Sequence, residues 1–453
     1  MVRPEYLKHA DRLADEIVSE RLGPGHRLPP LRQFAFAEGI AFSTATRVYT
    51  ELARRGLVSG EVGRGTFVRA APHRPALSEP DRPEIIDLEF NSTVVARADA
   101  DVLSNALKRL ASDPAFAAAS AAAGPGRTWF RSDLLAAHLS RPDWTIPPEH
   151  LLCAGGGRQA IAAAFAALGR PGAGVGLEAI TYPMAKVAAR RLGLSTVPLA
   201  VDDEGVLPDA VERAFNDAGI GMIYMQPTLH NPLGTTMTEA RRRQIADVLV
   251  CKGIVAVEDG VYGFLAPDAP PPVAAFAPDN VILIDSFSKR GFSGASAGFL
   301  VAASINLRRR LSVSLRSGAW LPAPINLALL SAILEAGSLP EIEQRKRQGA
   351  KARQAVLRSE LAGWDVRADA RSCHAWLHLP PRWRSDLFCS AAMQAGVAVT
   401  PGANFAVQPG FAPDAVRLAF SAVGSDCLRV ALGRLRTILL SRPGEWRQAD
   451  PVP

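Results

Sequence analysis

The chain has 453 residues, 48% hydrophobic and 21% charged, the balance of a globular chain with a sizeable core and room for a large domain plus one or two smaller ones. No apolar run reaches the roughly 18 residues that a membrane helix needs, and Met1-Val2-Arg3-Pro4-Glu5 leads into a charged helix, not a signal peptide. The net charge of +7 is uneven: residues 1–75 hold twelve Lys/Arg against eight Asp/Glu, compatible with a nucleic-acid-binding head or with a solvated surface.

Leu7, Leu13, Ile17 and Leu22 keep a roughly helical spacing that Gly23-Pro24-Gly25 ends. Leu28-Pro29-Pro30-Leu31-Arg32 opens a second helix, since proline is tolerated in a first turn, and Gly39 breaks it. Ser43 or Thr44 is placed to cap a third helix running to about Arg55. A strand begins at Gly56-Leu57-Val58, and residues 60–68 read as a hairpin with a glycine tip. Three helices and a two-stranded wing over residues 1–70 make a winged helix-turn-helix with the third helix as reader. The passage resembles the head of the GntR family, in which "LP", an arginine three to four residues on, and a terminal "GxGTFV" recur. That resemblance implies duplex DNA as partner, with Arg32, Ser43, Thr44, Thr46, Arg47 and Arg64 at the DNA-facing positions. Guanidinium forks, hydroxyls and a helix amino terminus suit phosphates. Phe42 stands where an arginine is common in the family, and Arg54-Arg55 reads as a solvated helix end. Winged helices can instead bind protein, and that reading stays open.

Residues 71–84 carry Pro72, Pro75, Pro80 and Pro83 without apolar periodicity and read as an extended linker. A second domain then runs from 85 to 440, before a tail of residues 441–453. A helical stretch at 103–112 and an alanine-rich run at 117–123 precede Leu151-Leu152-Cys153-Ala154-Gly155-Gly156-Gly157-Arg158, which passes from strand through a glycine turn into a helix. Such a turn offers free backbone N–H groups to an anion. From 150 to 300 strands and helices alternate, predicting a largely parallel sheet with right-handed crossovers. From about 340 the pattern changes. A long charged helix, a strand at 375–379, a helix at 385–395, strands at 397–400 and 417–420 and a closing helix predict a smaller α/β lobe. Five cysteines, odd in number and never in C-x-x-C, read as reduced core residues of a cytoplasmic protein. His374 and His378 flank a core strand without ligand spacing, which argues against a metal site.

The domain is organised around Asp285-Ser286-Phe287-Ser288-Lys289, read with His230-Asn231-Pro232-Leu233-Gly234 and Glu258-Asp259-Gly260-Val261-Tyr262. An apolar, β-branched run precedes each, so three strands deliver polar groups at their carboxyl ends, where open α/β sheets bind ligands. A lysine, an acid, a phenol and an amide at one sheet edge form the kit for pyridoxal phosphate (PLP). Any one of them alone would pass for an ordinary strand-end residue; all in this order do not. The spacing resembles fold-type I PLP-dependent aminotransferases, over residues 90 to 440. The resemblance implies that Lys289 forms the Schiff base and Asp259 pairs with the ring nitrogen. It places Asn231 and Tyr262 on the ring's phenolic oxygen and Tyr182 stacked on the ring. Ser286, with Ser288 in the same cofactor-binding set, and the backbone amides of Gly157 and Arg158 fall at the phosphate. Arg417 would clamp a substrate carboxylate, for which a bidentate fork is suited. Two positions depart. Ser296 stands where many members have a phosphate-gripping arginine, and Ala121 falls where a tyrosine reaches across a dimer to the phosphate. A less tightly held cofactor, or another cation such as Arg290, is the expected consequence.

A GntR-like head joined to such a body resembles the MocR subfamily of bacterial transcription regulators. This implies a homodimer that senses PLP or a small amino compound and changes how its heads are held over an operator. An active aminotransferase carrying a DNA-binding head is the alternative, and a pocket for a phosphate-free ligand a third reading.

Overall fold

The computed structural model describes residues 5–18, 21–22, 26–55, 57–61, 65–68, 85–91, 96–114, 116 and 130–443. Arg64 and the hairpin tip, the linker 71–84, the alanine run with Ala121 and the tail beyond 443 lie outside the described residues.

In the head, helices Glu5–Val18, Leu31–Glu38 and Phe42–Arg54 precede strands Val58–Glu61 and Gly65–Val68, which pair antiparallel from Val58↔Val68 to Glu61↔Gly65. Leu13, Phe34, Val48 and Leu52 bury together with Val58 and Val68, so the helical stripes and the wing share one small core. Gly39 ends the second helix in the left-handed region (φ 63°), where a glycine carries no Cβ penalty. The third helix starts earlier than the sequence suggests. Ala41 is its N-cap in an extended conformation, so Ser43 and Thr44 sit inside the first turn and cap nothing. Arg55 is also no free helix end: it pairs with Glu51 at 2.8 Å and Asp11 at 2.7 Å, tying the third helix to the first.

The body contains a seven-stranded sheet in the order Leu151–Ala154, Gly298–Val301, Val281–Ser286, Val255–Asp259, Met222–Met225, Gly174–Glu178, Ser195–Leu199. Gly298–Val301 runs antiparallel to both its neighbours, and the other pairings are parallel. Successive residues of the central strands alternate between two cores: Ile223 and Leu283 enter one, Tyr224, Val257 and Ile284 the other. Both faces are covered by helices, which is why these strands read as continuous apolar runs. The crossover helix Glu239–Lys252 is set by its ends. Thr238 accepts from the Arg241 amide at 3.3 Å, and Gly253 closes it at φ 65°.

The smaller lobe pairs Val366–Arg367, His374–His378, Ala415–Ala419 and Thr400–Pro401 in that order, antiparallel throughout. The stretch 397–400, expected as one strand, is split. Thr400–Pro401 joins this sheet, while Val397–Ala398 pairs parallel with Ile86–Asp87. The first described residues after the linker therefore pack on the small lobe, with Leu88 buried in its core. Cys251 and Cys427 are exposed, so the reading of all five cysteines as core residues does not hold; all five are free thiols. Among the described residues no single helix is long and apolar enough to cross a membrane, and no cluster of metal-ligating side chains occurs.

Candidate functional site

Three adjacent strands in the middle of the large sheet end at one edge, and the site is built from the residues just past each end. Tyr224 and Val257 face the same core; two residues on, Gln226 and Asp259 continue that face beyond the last apolar layer. Asp259 is buried, and its carboxylate is held by three donors. Tyr224 Oη and Gln226 Nε2 donate to Oδ2 at 2.6 and 3.1 Å, and the Val261 amide to Oδ1 at 3.2 Å. Burial raises its pKa against these donors. Gln226 also accepts from the Asn231 amide at 3.1 Å, so one side chain links two of the predicted site residues.

After Val281–Ser286 the chain turns into the one-turn helix Phe287–Arg290, with Ser286 as N-cap accepting from the Ser288 amide at 3.3 Å. The Ser286 and Ser288 hydroxyls lie 2.8 Å apart. Lys289 is half-buried, and its ammonium donates to the main-chain carbonyl of Asn91; burial lowers its pKa to about 8. Asn91 continues the contact: its Nδ2 donates to Tyr262 Oη at 2.8 Å, and its Oδ1 accepts from Ser421 Oγ at 2.7 Å.

The helix Gly157–Leu168 begins beside Ser286, with the Gly157 and Arg158 amides in its unpaired first turn. The approach is close. A Cβ on Gly157 would lie 3.4 Å from Ser286 Cβ, and one on Gly156 would lie 2.6 Å from Ser296 Oγ. Ser296 thus borders the glycine turn, as its alignment with a phosphate-gripping position implies. Arg158 is exposed and donates through Nε to Tyr182 Oη at 3.2 Å.

Arg417, from the central strand of the small lobe, is buried over the Phe405 ring. It donates to Thr400 Oγ1 at 3.1 Å, weakly to Asn231 Oδ1 at 3.4 Å, and to the Glu89 carbonyl. It meets no carboxylate among the described residues, and its Nε has no hydrogen-bond partner there. A buried guanidinium whose hydrogen-bond partners are all neutral, and whose Nε has none, is suited to receive an acid.

Arg290 corrects an expectation. It does not reach the glycine turn: Nη2 and Nη1 pair with Asp285 at 2.5 Å and Glu343 at 2.7 Å, and the residue is buried. Both carboxylates hold it, so it serves the join between the lysine turn and the long helix Leu339–Glu360. In the head, Arg32, Ser43, Thr46 and Arg47 are exposed and Thr44 half-buried, while Thr46 donates its hydroxyl proton to the Phe42 carbonyl at 2.9 Å.

Three residues of the site were missed. Tyr224 and Gln226 carried a readable signal, a phenol and an amide at the end of an otherwise apolar strand, both of which need partners when buried. Asn91, in an irregular stretch, carried none.

Residues 99–435 match the aminotransferase class I and II family, and residues 5–68 match the bacterial regulatory proteins of the gntR family. The chain is 27% identical over 421 residues to the HTH-type transcriptional regulator YdeF of Bacillus subtilis, covering 93% of this chain and 91% of the relative. It is 25% identical to the HTH-type transcriptional regulator YdcR of Escherichia coli, covering 88% and 92%. Its fold is similar to an archaeal alanine:glyoxylate aminotransferase (TM-score 0.69, 20% identity, 87% of this chain and 94% of that one). It is also similar to LysN, the α-aminoadipate aminotransferase of Thermus thermophilus solved with N-(5'-phosphopyridoxyl)-L-leucine (TM-score 0.68, 22% identity, 78% and 92%).

Proposed function

Since the chain belongs to the aminotransferase class I and II family and carries a gntR-family head, making it a MocR-type transcription regulator, we propose that its body senses an amino compound through PLP bound at Lys289 and alters operator binding in response. PLP is the cofactor of this body, and the residues present fit it. A half-buried lysine of lowered pKa, an acid held by three donors and a glycine turn at a helix amino terminus converge on one edge. When bound, the cofactor supplies an electron-withdrawing ring to an attached amino compound.

The chain's own groups take these roles. Lys289 binds the cofactor covalently. Asp259 faces the ring nitrogen, fixed in direction by Tyr224, Gln226 and the Val261 amide, which favour its charged form against the opposing effect of burial. Asn231 and Tyr262 hold the phenolic oxygen, and Tyr182 covers the ring. Gly157, Arg158, Ser286 and Ser288 meet the phosphate with neutral donors. Arg417 receives the ligand's carboxylate. The head reads duplex DNA through Arg32, Ser43, Thr44, Thr46, Arg47 and Arg64. We further propose a cytoplasmic homodimer whose two heads read paired half-sites.

One observation favours a sensor over an enzyme. The segment that follows the linker holds two of the site's cations through its main chain, Glu89 on Arg417 and Asn91 on Lys289. A ligand that takes those cations must displace or reorder the irregular stretch 89–91 that follows the linker in sequence, giving binding a differential effect on two conformations. The competing reading, a working aminotransferase with a DNA-binding head, is supported by the same lysine, acid and arginine. Parallel titrations of operator affinity and of amino-group turnover separate the two. A regulator changes operator affinity with little turnover; an enzyme turns over steadily with operator affinity unmoved.

A further inference from the structure

A cavity of about 170 Å³ lies beside the lysine turn, between the long helix Leu339–Glu360, the Phe264–Leu265 turn, Cys373 and Phe420–Ser421. One water takes ~30 Å³ of liquid, so the space admits a short side chain. The long helix sends Arg345, Lys346 and Arg353 to its wall, against a single acid, Asp99. Asp99 is already engaged, accepting from Arg345 Nε at 2.7 Å.

Lys346 and Arg353 are left with carbonyl oxygens only. Lys346 Nζ donates to the carbonyls of Lys289, at 3.2 Å, and Gly291. Arg353 donates to those of Val423 at 2.6 Å and Gly349 at 3.0 Å. Neither forms an ion pair with a carboxylate among the described residues. Cys373 sits where Lys289, Lys346 and Arg353 all act on it, yet burial outweighs them and pushes its thiol up to about 11, so it supplies no negative charge near neutrality. Burial likewise lowers Lys346 to about 8. Three cations against one acid leave the wall itself with two more positive than negative groups, and Lys346 on it donates to the carbonyl of the residue that binds the cofactor. Ser421, on the same wall, holds Asn91 beside Lys289.

Resting on the reading of the site above, we propose that this cavity is an anion subsite, and that the amino compound recognised carries a second anionic group, a carboxylate or sulfonate, seated between Lys346 and Arg353. Exchanging carbonyl dipoles for a full negative charge gives both cations charge-assisted hydrogen bonds. A neutral amide of the same shape would instead leave them as they are.

The test uses full-length protein loaded with PLP, titrated with L-aspartate, L-glutamate and L-cysteate and, in parallel, with L-asparagine and L-glutamine. The readout is the concentration at half-change of the cofactor's visible absorption. The acids should act at concentrations about tenfold or more below their amides, the factor that ~1.4 kcal/mol supplies. In Lys346→Gln and Arg353→Gln the advantage should shrink to about twofold, while the response to the amides, which reports an intact site, persists. Equal half-saturation of acid and amide in the wild-type protein overturns the subsite, whatever the variants do. An acid preference that survives in both variants also overturns it. If the absorption band is present and none of the five compounds moves it, the sensor reading itself falls and takes the subsite with it. Amides that act as well as acids would sink the subsite alone.

Discussion

The ammonium of Lys289 rests on the main-chain carbonyl of Asn91, and the Asn91 side chain in turn donates through Nδ2 to Tyr262 Oη. A residue a few positions past the linker thus touches two groups proposed to hold the cofactor. Asn91→Ala removes the bonds to Tyr262 and Ser421 and leaves the lysine contact, which is main-chain. Two neutral hydrogen bonds are worth about 1 kcal/mol each. The expected outcome is an unchanged visible band with a ligand-induced change in operator affinity reduced about fivefold or more, measured by fluorescence anisotropy. An unchanged response would remove Asn91 from the coupling.

Arg290 carries the join between the lysine turn and the long helix. Arg290→Met leaves Asp285 buried without its cation and, among the described residues, Glu343 with only Arg347 at 3.5 Å and His138 at 3.0 Å, a loss of about 3–5 kcal/mol for a broken buried pair. Thermal unfolding should show a large drop in Tm of the body, and PLP affinity should fall only as the fold does. A variant of normal Tm that has lost PLP binding would put Arg290 on the phosphate after all.

The same cluster sets a pH dependence. Burial alone would raise the Glu343 carboxyl, but Arg290 and His138 outweigh it and hold it at about 2 against an ordinary 4.5. The unfolded chain therefore binds the proton first as pH falls. Stability from this group is fully present above about pH 4.5 and is lost progressively towards pH 2. Denaturant melts across that window should show the loss in the wild-type protein and a smaller one in Glu343→Gln.

Lys289 gives a second, opposite dependence. Its pKa is lowered by burial from 10.5 to about 8, so the neutral amine that attacks an aldehyde is available near pH 8. The rate of PLP incorporation, followed by absorbance, should rise with a midpoint near pH 8. A midpoint near 10.5 would mean that the amine is solvated, and Lys289→Ala should abolish the borohydride-sensitive band.

Much of this was legible because the signals are local. Strand, turn and polar end follow one another within a dozen residues around Asn231, Asp259 and Lys289, and the hydrophobic runs before them need no partner to be recognised. Arg290 was misread because adjacency to Lys289 does not give direction: its partner Glu343 lies 53 residues on, in a helix whose packing no local pattern announces. Asn91 fails for the same reason, with contacts at Tyr262, Lys289 and Ser421. Ser43 and Thr44 were given a capping role that Ala41 fills by backbone conformation alone, since an extended residue can start a helix without a side-chain acceptor.

Ser296 borders the glycine turn, so a cation placed there would reach the same anion. Charge-assisted bonds exceed neutral ones by about 1–2 kcal/mol, or roughly ten- to thirtyfold in affinity. Wild-type protein should lose PLP measurably on dialysis, Ser296→Arg should retain it, and Ser296→Ala should differ little from wild type. Retention by the wild-type protein with no gain from the arginine would place the phosphate's cation elsewhere.

The central claim, that occupancy of the body governs the head, is tested most directly by titrating PLP-loaded protein bound to its operator with an amino compound while reading operator affinity and the visible band together. The account predicts that both change with one half-saturation concentration, that Lys289→Ala abolishes both, and that Arg417→Met shifts both to higher ligand. A band that moves while operator affinity stays constant would contradict it.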